Sequence, residues 1–210
     1  MHFEKIHNKG QARLFQNNFL EGLTKTRPWV IYIMYIPLSA WMLYHSYAAF
    51  GWSVGFIAGL FMLAFFSWTL FEYFAHRYLF HFEATSPLGQ RIVYIFHGNH
   101  HQYPRDRMRL FMPPVPSIIL AMAIFSLIYG LSALFTGNGD YAFVYFPGFI
   151  MGYLAYVSMH YAIHAYPPPK MFKSLWRNHH LHHYKYPEKG FGVSSVFWDK
   201  VFRTEPKEEI

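Results

Sequence analysis

The chain contains four apolar runs, each about as long as a helix that crosses a lipid bilayer. The runs cover roughly residues 29–50, 51–74, 114–135 and 141–160, and a membrane-spanning helix needs about 20 such residues. Short links join the first run to the second, near Gly51, and the third to the fourth, through residues 136–140. The pattern therefore predicts an all-α integral membrane fold with four transmembrane helices in two hairpins.

The polar stretches beside these runs carry helical signals of their own. Ser86 is a suitable N-cap and Pro87 suits the first helical position, with apolar residues following at helical spacing. Beyond the fourth run, the prolines at 167–169 end the helix, and residues 171–185 form a second amphipathic stretch. We predict an N-terminal segment over 1–28 and a membrane domain over 29–210, in which residues 75–113 and 161–210 form a helical cap.

The basic residues predict the orientation. Five of the 18 lie in residues 1–28, five in residues 75–113 and eight after His160, so both hairpin turns lack them. Cytoplasmic loops carry the excess of Lys and Arg in membrane proteins. The chain is therefore predicted to be multi-pass with both termini and the cap in the cytosol, in a bacterial inner membrane or the endoplasmic reticulum.

Composition agrees with this class and excludes others. Apolar residues make up 53% of the chain and charged residues only 14%, which favours a membrane protein in contact with the lipid bilayer. The net charge of +7 lies beside the apolar runs and no groove-reading element accompanies it, so we expect no nucleic acid partner. The absence of cysteine excludes a thiolate metal site. Gly51, Gly55 and Gly59 recur every four residues, which is typical of close helix packing.

Ten of the 14 histidines lie in four clusters, all on the side predicted to be cytosolic. Imidazole suits iron, zinc, copper and nickel. Helical residues three or four apart share a face, while adjacent residues diverge by about 100°. Adjacent histidines can therefore serve two neighbouring metals, with the first histidine of each His-x2-His-His cluster between them. The candidate ligands are His76, His81, His97, His100, His101, His160, His164, His179, His182 and His183.

Ten imidazoles are too many for one ion, so we predict a dimetal site with about five on each ion and an open position for water or dioxygen. His76 and His81 are five residues apart, so they either bind different metals or lie across a helix end or a π-bulge. The nearby acids Glu72 and Asp106 are expected to orient imidazole N–H groups.

The order and surroundings of the clusters resemble the fatty acid hydroxylase superfamily. Residues 97–106 and 182–202, with their His-Gly-Asn-His-His and His-His-Tyr-Lys-Tyr motifs, resemble its sphingolipid fatty acid 2-hydroxylase branch, and the resemblance runs from about residue 70 to 204. It implies a four-helix membrane fold with a cytosolic cap and the same ten histidines as ligands. It also implies hydroxylation at C2 of a long acyl chain, free or in a ceramide-type lipid, with dioxygen and two electrons.

The resemblance also bears on cofactors and partners. Breaking an unactivated C–H bond requires a redox metal, so iron is the expected functional metal, although zinc could occupy the site in a preparation. Many eukaryotic members carry a fused cytochrome b5 domain, for which the 28 residues before the first run are too few. We therefore expect either a separate electron donor, such as cytochrome b5 or a ferredoxin-type protein, or a cut-down relative with an altered substrate. A sterol or carotenoid oxidase and a non-enzymatic metal or haem membrane protein remain alternatives.

Overall fold

The helices follow the predicted apolar runs closely. In this computed structural model, residues 6–206 are described, and they contain helices, turns and loops but no strand. The all-α prediction is therefore confirmed for this part of the chain. The helices are α1 (Asn18–Leu23), α2 (Pro28–Ala48), α3 (Val54–Phe74), α4 (Pro87–Val93), α5 (Asn99–Gln102), α6 (Pro114–Thr136), α7 (Ala142–Ala165), α8 (Lys173–Tyr184) and α9 (Phe197–Val201).

Three helical segments are long and apolar enough to cross a membrane, by length and composition alone: Val54–Phe80, Pro114–Thr136 and Gly139–Ala165. The predicted first span forms α2, which has 21 residues, the same number as α3. Helix α2 is less hydrophobic than those three segments, because tyrosines, serines and His45 interrupt its aliphatic residues. Three apolar helices thus support a membrane protein.

The predicted start of α4 and the predicted helix end before the prolines are confirmed. The Ser86 hydroxyl accepts a hydrogen bond from Gly89 N at 3.2 Å, and Pro87 takes the first position of α4. α7 ends at Ala165, before the prolines at 167–169. Two α-helices continue as π-helices: α3 over Ala75–Phe80, and α4 over Tyr94–Gly98.

The chain divides into two compact units. The apolar unit consists of residues 26–68 and 111–155. Within it, α7 approaches α3 so closely that a Cβ on Gly148 would clash with the Phe61 carbonyl, and one on Gly152 would clash with Trp68. The hydroxyls of Tyr35 and Ser117 are 2.6 Å apart and join α2 to α6. Small residues and hydroxyl bonds are how helices associate where lipid removes the hydrophobic drive.

The histidine unit consists of described residues 6–25, 69–110 and 156–206. Ile163, Leu175, Trp176 and Val193 form a buried core in it. An ion pair between the buried Glu21 carboxylate and Arg109 joins residues 6–25 to the rest of this unit.

Candidate metal centre

The structure brings the ten clustered histidines together in two groups of five. In each group, every residue offers one ring nitrogen, and these nitrogens all lie within 4.8 Å of one another. Nine of the ten side chains are buried, and His81 is half-buried. Each group could hold one metal ion. The His76 group is His76, His81, His97, His101 and His182, and the His160 group is His100, His160, His164, His179 and His183.

The distances between ring nitrogens fit ligands around a shared ion. Two nitrogen ligands at right angles on an ion about 2.1 Å away are about 3 Å apart. A neutral ring nitrogen can donate or accept only one hydrogen bond. His97 Nε2 and His179 Nε2, however, each lie about 3 Å from two other Nε2 atoms. The Nε2–Nε2 distances are 3.1 Å for His76–His97, 3.0 Å for His97–His101, 3.2 Å for His101–His182, 2.8 Å for His100–His160, 2.9 Å for His164–His179 and 3.0 Å for His179–His183.

Helical geometry explains how the residues are divided. Histidines four apart share a group, as His97 and His101 do, whereas the adjacent His100 and His101 separate, as predicted. The first histidine of the cluster does not lie between the groups but pairs with the third.

His76 and His81 share a group although they are five residues apart. The π-helix over Ala75–Phe80 makes this possible, because its hydrogen bonds join residues i and i+5 and so bring them to one face. The backbone bond from His81 N to His76 O, at 3.2 Å, is of this type.

The protein environment keeps these imidazoles neutral. Burial, and after it the neighbouring His76, lowers the pKa of His81 to about 2. Burial, followed by the proximity of other histidines, holds the pKa values of six further residues well below their ordinary value. These residues are His97, His100, His101, His179, His182 and His183. Neutral imidazoles have a lone pair available for a metal.

Two backbone carbonyls orient members of the His76 group. His76 Nδ1–H donates to the Phe191 carbonyl at 2.6 Å, and His182 Nδ1–H donates to the Lys189 carbonyl at 2.7 Å. A carbonyl can only accept, so Nδ1 carries the proton and the lone pair is on Nε2 in both rings. Sequence reasoning missed these partners, because the bond from His76 spans 115 residues.

The loop that supplies these carbonyls is held by two buried carboxylates. Asp199 accepts hydrogen bonds from Phe191 N and Gly192 N, at 2.9 and 2.8 Å. Glu72 accepts from Val193 N and Ser194 N, at 2.7 and 2.9 Å. These bonds of Glu72 thus act on the loop behind the histidines. The role predicted for Glu72 as a direct partner of an imidazole N–H remains a prediction.

Asp199 was not singled out from the sequence. Burial raises its pKa, while hydrogen bonds from Thr204, the loop amides and Asn178 oppose that rise.

Asp106, the other predicted acid, accepts from Gln11 Nε2 at 3.1 Å and from Arg109 Nη1 at 2.5 Å. Asp106 therefore links the polypeptide that follows α5 to the N-terminal segment.

Three membrane-length helices and two five-histidine groups define the class: an all-α, histidine-rich protein of the membrane type. The chain belongs to the fatty acid hydroxylase family, whose family model matches residues 61–204. The family predicted from the sequence is therefore confirmed.

The similar proteins belong to the predicted branch. The chain is 38% identical over 208 residues to the ceramide very long chain fatty acid hydroxylase SCS7 of Saccharomyces cerevisiae, covering 97% of this chain and 52% of the yeast protein. It is 35% identical over 204 residues to the dihydroceramide fatty acyl 2-hydroxylase FAH1 of Arabidopsis thaliana, covering 97% and 84%. It is 33% identical to human fatty acid 2-hydroxylase, covering 91% and 56%. The chain thus spans about half the length of the yeast relative.

A solved structure shows the same fold. The structure described as full-length scs7p, with only the hydroxylase domain visible, matches with a TM-score of 0.85 and 36% identity, over 95% of this chain and 74% of that one.

Proposed function

We propose that this chain is a membrane oxygenase that hydroxylates C2 of a long acyl chain, either a free fatty acid or the N-acyl group of a ceramide-type lipid. The observation that carries the proposal is the pair of buried five-histidine groups. Relatives that are 33–38% identical and carry acyl hydroxylase names support it.

The ten histidines are proposed as ligands of two ions, one in each group. Iron is the proposed functional metal, and with dioxygen it supplies the oxidising power that cleavage of an unactivated C–H bond requires. Zinc can occupy nitrogen sites but has no redox chemistry, so a zinc-loaded preparation would identify the ligands without supporting turnover.

The chain's own residues hold and orient the donors. Burial keeps the imidazoles neutral and excludes water from the rings. The Phe191 and Lys189 carbonyls fix which nitrogen of His76 and His182 faces the centre of its group. Five donors for each ion leave room for a further ligand on an octahedral ion. These features support a site that binds metal firmly while keeping a position open.

The same proposal includes the topology and the partners. We propose four spans, with α2 as the first, and place both termini and the ten histidines on the cytosolic face of a bacterial inner membrane or the endoplasmic reticulum. The distribution of basic residues supports this orientation. The reaction consumes two electrons, which a separate donor protein, such as cytochrome b5 or a ferredoxin-type protein, would deliver at that face.

The test is product analysis in a host that makes no 2-hydroxy acyl lipids. Expression of the chain should produce 2-hydroxy fatty acids, measured by mass spectrometry after lipid hydrolysis. His100→Ala and His182→Ala, one from each group, should reduce the product to background while the protein stays in the membrane. His45→Ala is the matched control, since His45 lies in the apolar unit and stacks on Trp41. Full product in both ligand variants would refute the metal centre, and hydroxylated sterol or carotenoid would replace the proposed substrate.

A further inference from the structure

The loop over residues 189–194 has an unusual hydrogen-bonding arrangement. Four consecutive backbone N–H groups, from residue 191 to residue 194, donate hydrogen bonds to two carboxylates, those of Asp199 and Glu72. The preceding amide, Gly190 N, donates to the Thr204 carbonyl at 2.8 Å. Successive amides of this loop therefore turn towards the carboxylates, and the loop is fixed at every residue.

Two glycines make this arrangement possible. Gly190 has φ of +74°, in the left-handed region that favours glycine. A Cβ on Gly192 would clash with the Ser195 carbonyl and lie 2.9 Å from Asp199 Oδ2. The loop can therefore fold back over the Asp199 carboxylate only with these residues.

The fixed loop presents two carbonyls to the histidines, and both reach the same group. Lys189 O accepts from His182 and Phe191 O accepts from His76, and these two histidines belong to the His76 group. In the His160 group, by contrast, His179 Nδ1 and His183 Nδ1 are buried and have no hydrogen-bond partner among the described residues.

We propose that Glu72 and Asp199 are positioning residues for one of the two metal sites. By holding the loop, they fix the rings of His76 and His182, so that the His76 group retains its ion through them while the His160 group does not depend on them. The inference rests on the proposed function, in which each group holds one ion.

The two carboxylates respond differently to the same loss of charge. Asp199 accepts from Phe191 N and Thr204 Oγ1 on Oδ1, and from Gly192 N and Asn178 Nδ2 on Oδ2. Each oxygen therefore faces at least one N–H group, which cannot accept, so an asparagine would turn its NH₂ group towards an N–H group in either orientation. Glu72 accepts both of its loop amides on Oε1 and meets the Ser194 hydroxyl with Oε2. A glutamine can keep all three bonds, because a hydroxyl also accepts.

The experiment measures bound zinc per chain by elemental analysis, with the purified full chain in detergent and a competing chelator. The wild type should hold two ions. Asp199→Asn and Glu72→Ala should each hold about one, because loss of an orienting partner weakens a metal site roughly 10- to 100-fold. Glu72→Gln should regain the ion that Glu72→Ala loses. Glu21 is another buried carboxylate of the same unit, and it accepts from Leu14 N and Phe15 N. The control variant Glu21→Gln should therefore hold two ions.

Double variants identify which ion is lost. His97→Ala combined with Asp199→Asn should still hold about one ion, because both changes disable the His76 group. His164→Ala combined with Asp199→Asn should hold almost none. If Asp199→Asn yields no folded protein, the same double variants made on Glu72→Ala give the comparison.

The outcomes separate the two proposals. A wild type that binds fewer than two ions overturns the proposed metal centre itself. A wild type with two ions, and loop variants that keep both or lose both equally, overturns the positioning role alone. Equal effects of Glu72→Gln and Glu72→Ala would also overturn it, since the carboxylate would then act through its charge.

Discussion

The buried histidines make the stability of the metal-free chain depend on acidity. The pKa values of His97, His101 and His182 lie well below the ordinary value in the folded chain, whereas in the unfolded chain they return to about 6.5. Below about pH 6.5 the unfolded state takes up protons that the folded state excludes. Stability is therefore complete above that pH and is lost as the pH falls, by up to about 1.4 kcal/mol per pH unit for each histidine.

The measurement is thermal unfolding of the metal-free protein in detergent between about pH 7.5 and about pH 5.5. The unfolding temperature should fall on acidification. In His81→Gln the slope below about pH 6.5 should be smaller by up to about one proton, because the pKa of His81 is lowered to about 2 in the folded chain and lies near 6.5 in the unfolded chain. An unfolding temperature that does not change across the range would show that these rings are protonated when folded.

At the scale of single residues, the sequence predicted which histidines lie together and that adjacent ones separate, because both follow from spacing and helical angles. It did not predict the carbonyl of Phe191 or the carboxylate of Asp199 as partners. The bonds of Glu72 to Val193 and of His76 to Phe191 span 121 and 115 residues. Contacts of that kind depend on how a loop folds back, and residue spacing does not contain that information.

The close approach of α3 and α7 allows a prediction at the scale of helices. Gly148→Ala should lower the free energy of unfolding by about 1–3 kcal/mol, the usual cost of overpacking, because its Cβ would meet the Phe61 carbonyl and the Ala64 side chain. Gly55→Ala is the matched control, because its Cβ would have no neighbour within 4 Å. Its effect should stay within about 1 kcal/mol.

Thermal or denaturant unfolding of both variants in detergent, compared with the wild type, is the measurement. Equal stability of Gly148→Ala and Gly55→Ala would contradict the tight helix contact.

The space around the glycines also corrects a sequence-based expectation. Gly51, Gly55 and Gly59 were predicted to mediate packing, but a Cβ at each would have no neighbour within 4 Å. A four-residue repeat shows that small residues share a face, and does not show that another helix covers it.

Helix type was a second limit at this scale. An α-helical angle of 100° per residue left two possibilities for His76 and His81, and the π-helix over Ala75–Phe80 decides between them. The spacing of the histidines did not distinguish the two, since a π-helical segment is a short local departure inside an α-helix.

The topology of the whole molecule can be tested without altering native cysteines, because the chain has none. Single cysteines at two exposed positions should react with an impermeant maleimide from opposite sides. The positions are Thr136, at the end of α6 beside the second hairpin turn, and Ser174, in α8. We expect Thr136→Cys to be labelled in intact cells and Ser174→Cys only after permeabilisation. Labelling of both in intact cells would contradict the proposed orientation.

For the whole chain, the apolar runs predicted the helices to within a few residues, since bilayer thickness sets helix length. Helix α2 is the exception, because length and composition alone do not mark it as apolar enough to cross a membrane. Its tyrosines and serines lower its hydropathy, although Tyr35 and Ser117 satisfy each other's hydroxyls. Composition counts polar groups without knowing which of them are paired, so it underrates the apolar character of a helix of this kind.

The order of the ligands along the chain has a consequence for biosynthesis. Each group takes residues from both halves of the chain, and three of the ten histidines lie in α8. A nascent chain that ends before His179 contains four members of the His76 group and three of the His160 group. It also lacks Asp199 and the loop that Asp199 holds. In the proposed centre, metal insertion must therefore follow translation of α8, and a ribosome that stalls before codon 179 would leave a membrane-inserted protein with both histidine groups incomplete.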